Sequence, residues 1–137
     1  MVIKQLVLKD AEKIVRLTMI LILLTAGTSK FFSQGAFYDY YSQLFQGELR
    51  INLPPFFVNT YLTIIPFMEV SLGLALISTH LRQITTYLWF GFMMSLLFGH
   101  YILQEWSSVN QLLDYIYLGL LCLILPSHRS LFRRDAE

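Results

Sequence analysis

Cysteine is almost missing from these 137 residues, and charge is scarce. The single thiol, Cys122, excludes an intrachain disulfide and a Cys-x-x-Cys redox pair, and a small apolar filler in a helix is its ordinary role. Charged residues make up 14% of the chain, where soluble domains carry about 25%. No basic patch is interleaved with aromatics, which sets nucleic-acid binding aside. Phosphate-cradling loops, dinucleotide fingerprints and nucleophile elbows are all lacking. So are His-x-x-x-His and Glu-x-x-His spacings, and His80 and His128 fall toward the opposite end of the helices from His100. That excludes a pair of axial histidines, and no metal site or catalytic set is expected.

What the chain has in excess is apolar sequence. Hydrophobic residues reach 55%, above the roughly 45–50% of soluble domains, and they gather in four runs. The runs cover about 14–32, 56–79, 84–103 and 109–125, each close to the length that crosses a bilayer as a helix. Pro54-Pro55 opens the second run, Pro66 lies inside it, and Pro126 closes the fourth. The first run follows a basic segment but has no small-x-small cleavage site, so it reads as a retained span. The expected fold is all-α: a single four-helix antiparallel transmembrane bundle over residues 1–137.

Orientation follows from lysine and arginine. With the N-terminus inside, Lys4, Lys9, Lys13, Arg16, Arg82, Arg129, Arg133 and Arg134 lie on the cytoplasmic side, against Lys30 and Arg50 outside. Both termini are therefore expected in the cytoplasm, with the protein a multi-pass resident of a bacterial inner membrane. In the first outer loop Phe37, Tyr41, Leu44 and Phe45 fall on one stripe, predicting an amphipathic interfacial helix over about 36–46. It reads either as an anchor or as a lid over a ligand. Tyr61 and Trp106 are expected in the same aromatic belt.

Four ionisable residues stand inside or at the ends of the apolar runs: Lys30, Glu69, His100 and Asp114. At about 1.5 Å of rise per residue, Glu69 and Asp114 lie roughly 12 Å, and His100 about 9 Å, below the aromatic belt. All four thus share the outer half of the bundle, with Thr25, Ser29, Asn110 and Gln111 near enough in sequence to join. Two readings stay open. One is a polar pocket for a small headgroup, a quinone or a proton; the other is a charge-compensated network that fixes helix register. Ala26-Gly27 in the first helix, and Gly73 and Ala75 in the second, mark close backbone crossings.

Three motifs carry a family resemblance. They are Ala26-Gly27-Thr28-Ser29-Lys30-Phe31-Phe32, the segment Ile65-Pro66-Phe67-Met68-Glu69 with its trailing Gly73, and Leu96-Leu97-Phe98-Gly99-His100. In order and spacing the chain resembles the DoxX family of small four-helix membrane proteins, a DoxX/MauE-like group. The resemblance implies association with membrane redox processes: a quinone-linked thiosulfate-oxidising complex, oxidative-stress complexes, and maturation of a disulfide-rich dehydrogenase. The chain departs from any thiol-redox role, because Cys122 stands alone. It also has Ser71-Leu72-Gly73 where a Glu-x-x-Gly-Gly pattern is common.

The expected function is an accessory subunit of a larger membrane assembly, redox- or quinone-associated and without catalysis of its own. The alternative is a small quinone- or lipid-binding redox protein that uses the outer pocket directly. A quinone is the candidate ligand; the lipid bilayer and other membrane subunits are the expected partners.

Overall fold

The computed structural model describes residues 2–33, 35–47, 49 and 51–126, with side chains from residue 6 onward. Arg50, Arg129, Arg133 and Arg134, which carry part of the charge bias, lie outside the described residues, as do His128 and the side chain of Lys4. Among the described residues five helices follow one another: α1 (Val2–Phe32), α2 (Ala36–Phe45), α3 (Pro55–Ala75), α4 (Arg82–Ile102) and α5 (Trp106–Ile124). There is no strand among the described residues.

Helix α1 begins well ahead of the apolar run. The flank up to Arg16 contains neither glycine nor proline, and Glu12 meets Arg16 one turn on, so nothing stops the helix there. Helix α3 stops at Ala75, short of residue 79, in a tight turn around Ser78. Over Leu6–Phe32, Pro55–Ala75 and Trp106–Ile124 the helices are long and apolar enough to cross a membrane. Helix α4 matches α3 in length, but Thr85, Thr86, Gly91, Ser95 and His100 dilute its apolar character.

Two antiparallel pairs build the bundle, α1 on α3 and α4 on α5, with α1 also touching α5 and α2 resting on α3. Glycines set the first pairing. A Cβ on Gly27 would stand 2.8 Å from Val70 and 3.0 Å from Glu69, and one on Gly73 would stand 2.9 Å from Leu24. Only glycine lets the two backbones approach this closely, the usual device for helix contacts in lipid. The second pairing turns on Trp89, fully buried, whose indole N–H donates to the Tyr115 carbonyl at 3.1 Å while its ring covers Gly119. Met19, Leu23, Leu62, Leu72, Leu76, Phe92 and Met93 fill the space between the pairs.

Candidate functional site

The close approach at Gly27 has a direct consequence one turn later. Lys30 is carried against α3, where its ammonium donates to both carboxylate oxygens of Glu69 at 2.7 Å and to the Ala26 carbonyl at 3.5 Å. Glu69 is almost wholly buried, and Lys30 is about one-sixth exposed. A buried carboxylate without such a partner would be costly, and the two-oxygen contact satisfies most of its acceptor capacity.

Helix α2 lies across this pair. Gly35 holds φ 87°, a left-handed conformation that suits glycine, and it reverses the chain between α1 and α2. Asp39 in the first turn complements the helix N-terminus. The stripe of Phe37, Tyr41 and Phe45 then faces inward. Lys30 Nζ sits 5.0 Å from the Phe37 ring centroid, a cation–π distance, and Phe45 reaches Gly99 on α4.

Between α2 and the bundle remains a cavity of about 230 Å³. Lys30 and Glu69 form its charged floor, Phe37, Tyr41 and Phe45 its cover, and Tyr61, Leu62 and Ile65 one wall. Leu96, Gly99, His100 and Leu103 of α4 form the other. Tyr61 is tied by its hydroxyl to Ser95. Burial pushes the Tyr41 hydroxyl up to about 12, with Glu105 and Tyr40 adding to the effect. Tyr41 therefore remains a neutral hydrogen-bond donor at any physiological pH. Mostly apolar walls with a few convergent polar groups are the usual make-up of a small-molecule site.

The remaining polar residues of the apolar runs go elsewhere. His100 is at the cavity rim, with its Nδ1 2.6 Å from Glu105 and its ring edge-on to Tyr41. Its partner is thus the acid that opens the α4–α5 turn, not Lys30 or Glu69. Ser29 is exposed and donates to the Ala26 carbonyl of its own helix. Asp114, Asn110 and Gln111 are exposed on α5 and do not join the pair. Their depth along the helix is right for contact, but the direction they face is wrong: Leu112, Gly119 and Cys122 occupy the inward side of α5.

A second charged cluster stands at the opposite end; in the sequence Arg16 borders the uncharged stretch 17–29 and so must snorkel or find a partner, but Glu12 and Arg82 carry no such mark. Glu12 and Arg16 are fully buried, with Arg16 Nε 3.2 Å from Glu12. Arg82 reaches the same carboxylate at 3.4 Å, and donates to the Cys122 carbonyl at 2.6 Å and the Leu125 carbonyl at 3.4 Å. Cys122 lies in the last turn of α5 and Leu125 is its C-cap, the end of a helix where carbonyls lack intrahelical donors. One signal was available: Glu12 and Arg16 are spaced i, i+4 on a helix with no break before the apolar run.

Comparison with known proteins gives one finding. Residues 8–112 match the family model described as methylamine utilisation protein MauE. No curated protein and no solved structure matches the chain.

Proposed function

Because that match spans well over half its length, the chain belongs to the MauE family, and from this premise we propose an accessory subunit of a larger membrane assembly. In this reading it holds a quinone-class amphipathic ligand beneath α2 and performs no catalysis of its own. The family is that of a membrane protein serving methylamine utilisation, which fits an accessory role; the redox association extends it. The broad group read from the motifs agrees, although the matching model is MauE rather than DoxX itself.

The observation that carries the ligand is the void beside the ion pair. A buried pair that only fixes helix register packs closed, because protein interiors leave few spaces larger than water. Here the Lys30–Glu69 pair opens instead onto 230 Å³ under aromatic cover. A quinone carbonyl would accept from the Tyr41 hydroxyl beside the Lys30–Glu69 pair, its ring would lie against Phe37, and its tail would follow Leu62, Ile65 and Leu96. We take α4 as the fourth span. The hydroxyls of Thr85, Thr86 and Ser95 all donate to carbonyls of their own helical segment, which removes most of their polar cost in lipid. The lysine and arginine bias supports a reading with both termini in the cytoplasm of a bacterium and α2 on the outer face of its inner membrane.

Mild solubilisation of the full chain from native membranes, followed by native mass spectrometry and solvent extraction, tests both halves. The expected result is co-purifying membrane subunits together with an extractable quinone. Gly99→Leu, which fills the cavity from the α4 wall, should release the quinone and keep the partners. A chain that emerges alone overturns the accessory role; partners without quinone, or quinone unaffected by Gly99→Leu, overturns the ligand site.

A further inference from the structure

Helix α5 is the least buried of the three helices apolar enough to cross a membrane. Its outward side is not plain hydrocarbon. Ser107, Asn110, Asp114, Tyr117, Leu121 and Ile124 are all exposed, and they recur at spacings of three, four, three, four and three. That alternation keeps them on a single stripe, the pattern of a seam against one other helix. The half of the stripe nearer α2 is polar and carries one acid; the other half is aromatic and aliphatic.

Asp114 is the anomaly. Trp106 opens the helix at the level where indoles favour the membrane interface. Asp114 comes eight residues later, about 12 Å deeper, in a hydrocarbon layer with a half-thickness of about 15 Å. A carboxylate facing lipid tails at that depth is among the costliest side-chain placements, and aspartate is too short to reach back to the headgroups. Among the described residues no cation pairs with it: Lys30 is held by Glu69, and Arg16 and Arg82 by Glu12.

We infer that this stripe is the docking seam for a transmembrane helix of a different protein, one that sets a lysine or arginine opposite Asp114. A second copy of this chain is a poor occupant. A two-fold axis along the membrane normal would bring Asp114 against its own counterpart, two like charges in lipid. The inference rests on the accessory role proposed above and gives that role its contact surface.

The test uses the purified full chain in phosphatidylcholine vesicles with a dye-labelled synthetic leucine–alanine transmembrane helix. The helix carries a single lysine at the depth of Asp114, or leucine there as control. Energy transfer should show the lysine helix binding about tenfold more tightly than its leucine twin, the scale of one polar contact between helices in lipid. Asp114→Leu should abolish the preference and Asp114→Glu should keep it, each with an unchanged thermal melt because the position is exposed. Equal binding of the two helices, or a preference that survives in Asp114→Leu, overturns the seam. So does energy transfer between labelled copies of the chain that is lost on substituting Tyr117. These failures differ from failure of the accessory role, which would appear as the absence of any co-purifying subunit from native membranes.

Discussion

At one end of the bundle Glu12 takes Arg16 and Arg82 around it, and Arg82 passes on to two carbonyls at the end of α5. At the other, Lys30 and Glu69 hold each other at 2.7 Å and open on a cavity. Both clusters contain buried charge, and the second borders a cavity of about 230 Å³. The far cluster sets the Glu12 carboxylate against the Arg16 and Arg82 guanidiniums, and Arg82 also meets the negative pole of α5. It ties three helices together. The pair beneath α2 binds two helices and borders a mostly apolar space. Buried charge alone therefore does not distinguish a staple from a site; the volume next to it does.

The comparison breaks first at the far end. Glu12→Ala leaves Arg16 and Arg82 without their carboxylate, and a loss of about 3–5 kcal/mol in unfolding free energy is expected, as for other buried pairs stripped of one member. Denaturant titration in detergent micelles measures it; a loss no greater than that of Lys30→Ala would erase the distinction between the ends. Gly27→Ala comes next, since its added methyl meets Val70 at 2.8 Å and the α1–α3 backbones must separate. Overpacking of this kind costs about 1–3 kcal/mol, and the variant should also weaken the Lys30–Glu69 contact.

Lys30→Ala and Glu69→Ala should each cost about 1–2 kcal/mol, less than in water-soluble proteins because unfolded helices in lipid also find partners. The double variant should cost clearly less than their sum; strict additivity in thermal melts would mean that the two do not act as a pair. The smallest effect belongs to His100→Ala at the rim, under about 1 kcal/mol of stability because its partner Glu105 is partly exposed. Its consequence should be confined to retention of the extracted quinone.

Lys30 and Glu69 were legible in the sequence because each interrupts or ends an apolar run, where a charge has few reasons to be. The small residues around them were legible for a related reason: Gly27 and Gly73 read directly as close crossings, and each proves to face the opposite helix. Glu12 and Arg82 were hidden by their surroundings. They flank the runs, where basic residues are ordinary signals of orientation, and their burial depends on α1 continuing as helix through the charged segment. Asp114 and His100 show a different gap. Depth along a helix can be counted from the chain, but the direction a residue faces requires a hydrophobic periodicity. In α5 nearly every position after Asn110 is apolar or aromatic, so the inward side had no marker until Leu112, Gly119 and Cys122 were seen buried. The side chain of His100 was settled by Glu105, five residues on and outside any apolar run.

The two clusters also differ in when they can be completed. Glu12 and Arg16 lie one turn apart in the first helix, so these two buried charges can match as soon as that helix forms; Arg82 joins 70 residues after Glu12 as reinforcement. Lys30 has no such neighbour, and its carboxylate is made 39 residues behind it. At synthesis rates of about 5–20 residues per second, the wait lasts on the order of seconds. The order of translation thus sets the order in which the two clusters can pair: the Glu12–Arg16 contact first, the Lys30–Glu69 contact only once α3 is made.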